Sequence, residues 1–298
     1  MNSNEKNNML GHAAAMLTIL IWGTTFISTK ILLRAFQPVE ILFFRFVLGF
    51  LVLLAVHPKR LKLANCREEF LFALAGLCGI CFYYLLENIA LTYTLASNVG
   101  VIISVAPFFT AILNHLFVKT EETWRAPFFV GFVVAMLGIA CISFSGKNLA
   151  IHPLGDALAI AAAFVWAVYS ILTRKISRLG YPVILCTRRT FFYGLLCMIP
   201  ALFFFDFQLN LSRFADITNG LNLLYLGVGA SALCFVTWNF SVKEPGAVKT
   251  SVYIYLVPVI TVITSVLILH ETLTVLAGIG TVLTIVGLLL SEYKPKRL

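Results

Sequence analysis

Apolar residues in this 298-residue chain come in long runs, not in alternation. A bilayer-spanning helix needs about 20 apolar residues. Ten runs of that order occur, at 11–33, 38–57, 69–92, 96–118, 125–145, 154–174, 181–205, 218–242, 246–269 and 273–292. Lipid offers no water to a backbone N–H or C=O, so helix is the state these runs predict. Several neighbours are separated by only three to six residues, so they must be antiparallel hairpins.

Within that pattern the stretch from Asn88 to Thr110 stands out. It reads as the end of one apolar helix, a tight turn over Thr92–Ser97, and a second helix broken by Pro107. The same pattern returns 151 residues later, from Asn239 to Thr261, with Pro258 in the place of Pro107. Gly76/Gly227, Ala96/Ala247, Val101/Val252 and Ile103/Ile254 fall on the same offset. Trp22 and Arg45 match Trp166 and Arg189 at an offset of 144, and Glu122, Gly131 and Gly138 match Glu271, Gly280 and Gly287 at 149. The reading is two halves of five helices, 11–145 and 154–292, between a short tail (1–10) and a basic tail (293–298). Five is odd, so the halves must enter the membrane from opposite sides as an inverted repeat. The fold class expected is an all-α integral membrane protein of ten transmembrane helices.

Composition agrees. Charged residues are 12% and hydrophobic residues 60% of the chain, against about 25% charged in a soluble domain. The net charge of +9 lies in the connections, which points to membrane orientation and not to nucleic acid. With the N-terminus inside, fourteen Lys and Arg fall on the cytoplasmic side and three (Arg34, Lys147, Arg213) on the other. Both termini are therefore expected in the cytoplasm. The run from Leu10 to Leu33 is too long for a signal peptide core and reads as a retained first span. The seven cysteines lie mostly inside apolar runs, the Cys78–Cys81 pair included, and read as small core residues.

The chain resembles the drug/metabolite transporter superfamily, with two EamA-type repeats. The residues that carry the likeness are Trp22–Gly23, Arg45, the run Tyr93–Asn98, Pro107 and Pro258, Glu122 and Glu271, and the paired glycines of the last helix in each half. The resemblance implies ten helices, cytoplasmic termini and a central cavity lined mainly by the first, third, fourth, sixth, eighth and ninth helices. It also implies alternating access and export of small metabolites from bacterial cells.

Glu87 is the first candidate residue, because an ionisable group inside a span marks a functional site by default. It is expected to meet Arg45 or Lys30, to bind a substrate ammonium, or to carry a coupling proton; a plain ion pair is the structural alternative. Position 238, its repeat equivalent, is Trp. Arg45 and Arg189 sit at matching depths in opposite halves and suit gate positions, with Lys249 beside them; for Arg188 and Lys249 snorkelling to headgroups is preferred. Asn88 and Asn239 either cap the turns that follow or face the cavity. Trp22, Tyr83, Trp166, Tyr169, Trp238 and Tyr253 offer rings for amphipathic or cationic substrates. Trp124 reads as an interfacial anchor and Glu122 and Glu271 as helix caps.

A secondary transporter explains these features best. There is no GxxxxGK[ST] loop for ATP, so transport is expected to run on exchange or on a proton gradient, without a cofactor. An intramembrane enzyme would need a constellation such as GxSxG or HExxH, and none is present. A channel would present polar rings, which are absent. The substrate expected first is an amino acid or related zwitterion, exported across the inner membrane. Nucleosides and amphipathic or cationic drugs are the alternatives, and monomer and homodimer are both open.

Overall fold

The computed structural model describes residues 3–93, 96–118, 126–144, 152–205, 207–269 and 275–292. The described chain is helical without strands. The helices are α1 (Ser3–Leu32), α2 (Pro38–Val56), α3 (Cys66–Tyr93), α4 (Ala96–Ile103), α5 (Ala106–Phe117), α6 (Ala126–Phe144), α7 (Pro153–Ser177), α8 (Val183–Phe204), α9 (Ile217–Lys243), α10 (Ala247–Val252), α11 (Leu256–Leu269) and α12 (Val275–Glu292). Six of them, α1, α2, α3, α7, α8 and α9, are long and apolar enough to cross a membrane. Four stretches are apolar but shorter: Ala106–Phe117, Ala126–Cys141, Ala247–Ile260 and Gly278–Ser291. The expected caps Glu122 and Glu271, and Trp124, lie outside the described residues.

The expected breaks are present. α4 stops at Ile103 and α5 begins at Ala106, with Pro107 in its first turn. A proline at 107 has no N–H for the Ile103 carbonyl one turn back. In the second copy α10 gives way to a 3₁₀ turn, Tyr253–Tyr255, before α11 and Pro258. The turn joining α9 to α10 closes on Gly246, whose φ of +104° suits glycine.

One irregularity was not expected. α3 and α9 each contain a π-helical stretch, Leu77–Phe82 and Tyr225–Leu233. A π turn changes the bonding register and frees carbonyls. In α9 the Ala230 carbonyl accepts from Trp22 Nε1 at 2.9 Å.

Glycines set the helix contacts, and they do so reciprocally. A Cβ on Gly76 of α3 would lie 2.6 Å from the Thr190 carbonyl oxygen of α8; one on Gly227 of α9 would lie 3.2 Å from the Arg45 carbonyl oxygen of α2. Gly194 of α8 abuts Ile80 of α3, and Gly49 of α2 abuts the Gly227 carbonyl of α9. So α3 packs on α8 and α9 on α2 by matching residues. α6 and α12 form a close pair in which Gly131 faces Ser291, Gly138 faces Thr284 and Gly287 faces Ala135. Small residues are what allow such approach in lipid.

The two ends of the bundle are tied differently. At one end Glu40, fully buried, accepts two bonds from Arg213, at 2.8 and 3.0 Å, and one from the Gln208 N–H. At the other end Arg188 donates to the carbonyls of His57 and Lys59, and Arg189 pairs with Glu69. These are called the Arg213 end and the Lys243 end below.

A Cβ on Gly138 would stand 2.5 Å from the Thr284 backbone nitrogen, whereas one on Gly278 meets nothing within 4 Å. Gly138→Val should therefore cost about 1–3 kcal/mol or more by overpacking, and Gly278→Ala should be silent. Thermal unfolding in detergent reads this as a lowered midpoint for the first variant and an unchanged one for the second.

Candidate functional site

α3 carries the site on one face. Gly79, Tyr83 and Glu87 follow one another at four-residue steps, so they stack along one face. Gly79 lets α7 come close: a Cβ there would lie 2.2 Å from the Tyr169 ring. One turn on, the Tyr83 ring meets Trp166 of α7 at 4.7 Å between centroids. One further turn on, Glu87 is 5% exposed.

These residues line a narrow cleft with Trp22, Thr25 and Phe26 of α1, Tyr84, Ile103, Ile254 and Val257. Its interior has room for about 40 Å³, and the open space out to its mouth is about 450 Å³. Among its described lining residues Glu87 alone carries a charge. The Tyr83 hydroxyl bonds the Glu87 carboxylate, and Arg45 acts on it through its charge. Ile103 and Ile254 each stand four residues before a broken helix's proline, so both residues whose carbonyls are denied the usual helical N–H line one cleft, the Ile254 carbonyl taking the Leu256 N–H instead.

Beneath the cleft, toward the Lys243 end, lies an aromatic floor. Trp22, Trp166 and Trp238 pack mutually with centroids 5.1–5.8 Å apart. Trp166 and Trp238 are buried, and their indole N–H groups have no partner among the described residues. Tyr169 and Phe235 complete the floor.

The expected residues thus divide. Trp22, Tyr83, Glu87 and Trp166 meet in the cleft. Trp238 and Tyr169 support it from below without lining it. Pro107 and Pro258 contribute through Ile103 and Ile254. Asn88 caps no turn and does not line the cleft: it is fully buried and its Nδ2 donates to the Pro38 carbonyl at 3.2 Å, tying α3 to the start of α2. Asn239 caps no turn either; it bonds Tyr169 and Thr187. Tyr253 stands apart, its hydroxyl 2.9 Å from His12 Nδ1, with Lys249 close enough to act on that imidazole.

The basic candidates also sort. Arg45 is 1% exposed, bonds Ser231 Oγ at 3.0 Å through Nε, and lies 4.3 Å over the Tyr84 ring. It is not within ion-pair distance of Glu87 among the described salt bridges. Lys30 is exposed and lines a broad pocket at the Arg213 end, so it is not the partner of Glu87. Arg189 pairs with Glu69, which also accepts from the Tyr193 hydroxyl, and its guanidinium lies 5.4 Å over the Tyr193 ring. Arg188 does not snorkel: its guanidinium is spent on the two carbonyls after α2. Tyr84, an aromatic residue that the sequence also offered for the cavity, does line the cleft; sequence reasoning missed the lining isoleucines and the pairs Glu40–Arg213 and Glu69–Arg189. Only the 151-residue echo of Ile103 and Ile254 could have signalled any of these.

The sequence profile of the EamA-like transporter family matches residues 9–144 and 153–293. The chain belongs to the EamA-like transporter family. It is a membrane transporter of that family, within the drug/metabolite transporter superfamily. A protein of Archaeoglobus fulgidus described as an uncharacterized transporter is 32% identical over 292 residues, covering 96% of this chain and 99% of that one. A probable terminal-alkyne amino-acid exporter of Streptantibioticus cattleyicolor is 25% identical, over 93% of this chain and 91% of that protein. A probable amino-acid metabolite efflux pump of Escherichia coli K12 is 26% identical, over 94% and 93%. One crystal structure shares the fold with a TM-score of 0.75 at 18% identity, covering 96% of this chain and 98% of its own.

Ser231 is the hydroxyl that holds the family member's buried Arg45. Ser231→Ala leaves that N–H without its partner, which should cost about 1–3 kcal/mol. A lowered unfolding midpoint in detergent is the expected result; an unchanged one would show that water replaces the hydroxyl.

Proposed function

We propose that this transporter is an alternating-access carrier of ten transmembrane helices, arranged as two inverted five-helix halves. It moves an amino acid or related zwitterion out of the cell across the plasma membrane. The single observation that carries the substrate reading is the buried Glu87 carboxylate in an aromatic cleft between both proline-broken helices. A carboxylate in that setting suits an ammonium group, and the indole and phenol faces suit the rest of an amphipathic molecule. The names of the Streptantibioticus and Escherichia coli relatives support the amino-acid class.

The reciprocal glycine contacts, α3 on α8 and α9 on α2, support the inverted repeat. So does the convergence of Ile103 and Ile254. The Lys243 end carries the basic connections and is the cytoplasmic one in this reading. The cleft extends from the aromatic floor toward the Arg213 end, the outward direction. Because Glu87 is the one charge among its described lining residues, an amphipathic cation is the second reading. Protons or a counter-substrate would supply the driving force.

Reconstituted in liposomes, the wild type should show saturable flux of amino acids exceeding that of nucleosides and cationic dyes, tested with and without a pH gradient. Glu87→Gln should lower flux about tenfold or more, the worth of a charge-assisted bond. Unchanged flux and unchanged pH dependence in that variant would remove Glu87 from the mechanism. No saturable flux of any compound would overturn the carrier reading.

A further inference from the structure

A second cleft opens below the aromatic floor, at the Lys243 end. Thr173, Ile176 and Ser177 of α7, Tyr181, Val183, Cys186 and Thr190 along the start of α8, and Asn239 and Lys243 of α9 line it. Its interior has room for about 20 Å³, enough for a small polar group, and the open space out to the mouth is about 330 Å³. Its chemistry can be worked out because one hydrogen-bond chain has a forced direction.

The chain is anchored on a backbone carbonyl, which can only accept. The Thr187 hydroxyl donates to the Val183 carbonyl at 2.9 Å, so its single proton is spent. Asn239 lies 3.0 Å from the same Thr187 oxygen, which must therefore accept, and the Asn239 group facing it must be the NH₂. The Asn239 oxygen then faces Tyr169, whose hydroxyl donates to it at 2.8 Å. The oxygen of Asn239 is thus held inside the bundle and one N–H of its amide is left over. Asn239 lines the cleft with that N–H still to donate.

Two more donors stand on the same walls. Thr190 is 3% exposed and its hydroxyl has no partner among the described residues. Lys243 brings an ammonium group at the end of α9. The Arg174 guanidinium caps that helix end by donating to the carbonyls of Val242 and Lys243, adding positive charge at the rim. The other hydroxyls on the walls have their protons committed. Ser177 donates its proton to the Arg174 carbonyl, and Tyr181 donates its own to Glu68, which also takes the Ala64 N–H.

We infer that this cleft is a carboxylate-binding site, in which Lys243, the Asn239 N–H and the Thr190 hydroxyl hold the two oxygens of the ligand. An oxyanion satisfies three donors at once and pairs with the one charged lining residue, the Lys243 ammonium. The site is separate from the Glu87 cleft, with Trp166, Trp238 and Tyr169 between them. It deepens the proposed carrier function and takes its ligand class, an organic acid or amino acid, from that reading. A substrate would first be caught by its carboxylate at the cytoplasmic side and would meet Glu87 with its ammonium beyond the floor.

The test is binding to the purified full-length protein in detergent, with 3-phenylpropionate and L-phenylalanine methyl ester as probes. The first has only the carboxylate and the second only the ammonium. Thr190→Val and Lys243→Gln should each weaken 3-phenylpropionate about tenfold, the loss expected for one bond to a charged group. Lys243→Arg should restore most of that affinity, and the ester should bind all variants as it binds the wild type. Thr190→Val keeps the side-chain shape, so loss of folding does not confuse the result. Failure of 3-phenylpropionate to bind the wild type overturns the site. Equal weakening of acid and ester, or no weakening of either, also overturns it. Liposome flux tests the carrier reading apart from this: binding that follows the expected pattern without flux of any compound leaves the site standing and removes the carrier.

Discussion

The need to pair every backbone polar group within the protein governs this fold. In lipid an exposed carbonyl or N–H costs several kcal/mol. Helix therefore predominates among the described residues, and several departures from it sit where side chains or other helices can meet the freed groups. The π stretch of α9 gives its Ala230 carbonyl to Trp22. The carbonyls at the end of α2 go to Arg188, and those at the end of α9 to Arg174. The breaks before Pro107 and Pro258 face one internal cleft through Ile103 and Ile254. Irregular backbone is tolerated in membranes where it lines a cavity, which makes those breaks the natural place for a ligand.

Close helix approach follows from the same constraint. Apolar helices gain little from meeting one another in an apolar solvent, so contact must come from tight packing. Gly76, Gly194 and Gly227, with Gly49, let α3, α8, α9 and α2 touch backbone to backbone. The large aromatic residues then fill the centre that these contacts enclose. Gly79 illustrates the link to function: its missing side chain brings Tyr169 against α3, and Tyr169 in turn fixes the amide of Asn239.

Much of the architecture was legible in the chain. Run length and hydropathy placed the helices within a few residues, because lipid sets the length. The 151-residue echo located both broken helices, and the rarity of charge in a span singled out Glu87. Neighbours were not legible. A helix that is apolar nearly all round does not say which face meets which partner. Asn88 was expected either to cap a turn or to face the cavity and instead bonds Pro38, 50 positions away. Arg188 looked free to snorkel, because its carbonyl partners lie 131 and 129 positions earlier. Glu40 drew no notice at the start of a span, yet Arg213, 173 positions on, holds it fully buried. Pairings of that range depend on tertiary geometry alone.

The electrostatic layout has a consequence for passage. The cleft toward the Arg213 end offers an acceptor, Glu87, and the cleft toward the Lys243 end offers donors around Lys243. Between them stand three indoles and a phenol. A zwitterion finds a partner for one of its charges on either side, so neither cleft holds it completely. That incompleteness suits a carrier, since a site satisfying both charges at once would bind tightly and release slowly. The floor must open for the molecule to change partners. Trp166 and Trp238 have unpartnered N–H groups there, so the closed floor carries two unsatisfied donors at about 1–3 kcal/mol each. In the proposed carrier cycle these unpaired donors would keep the closed floor from becoming too stable and would pair with a passing oxygen as the indoles part.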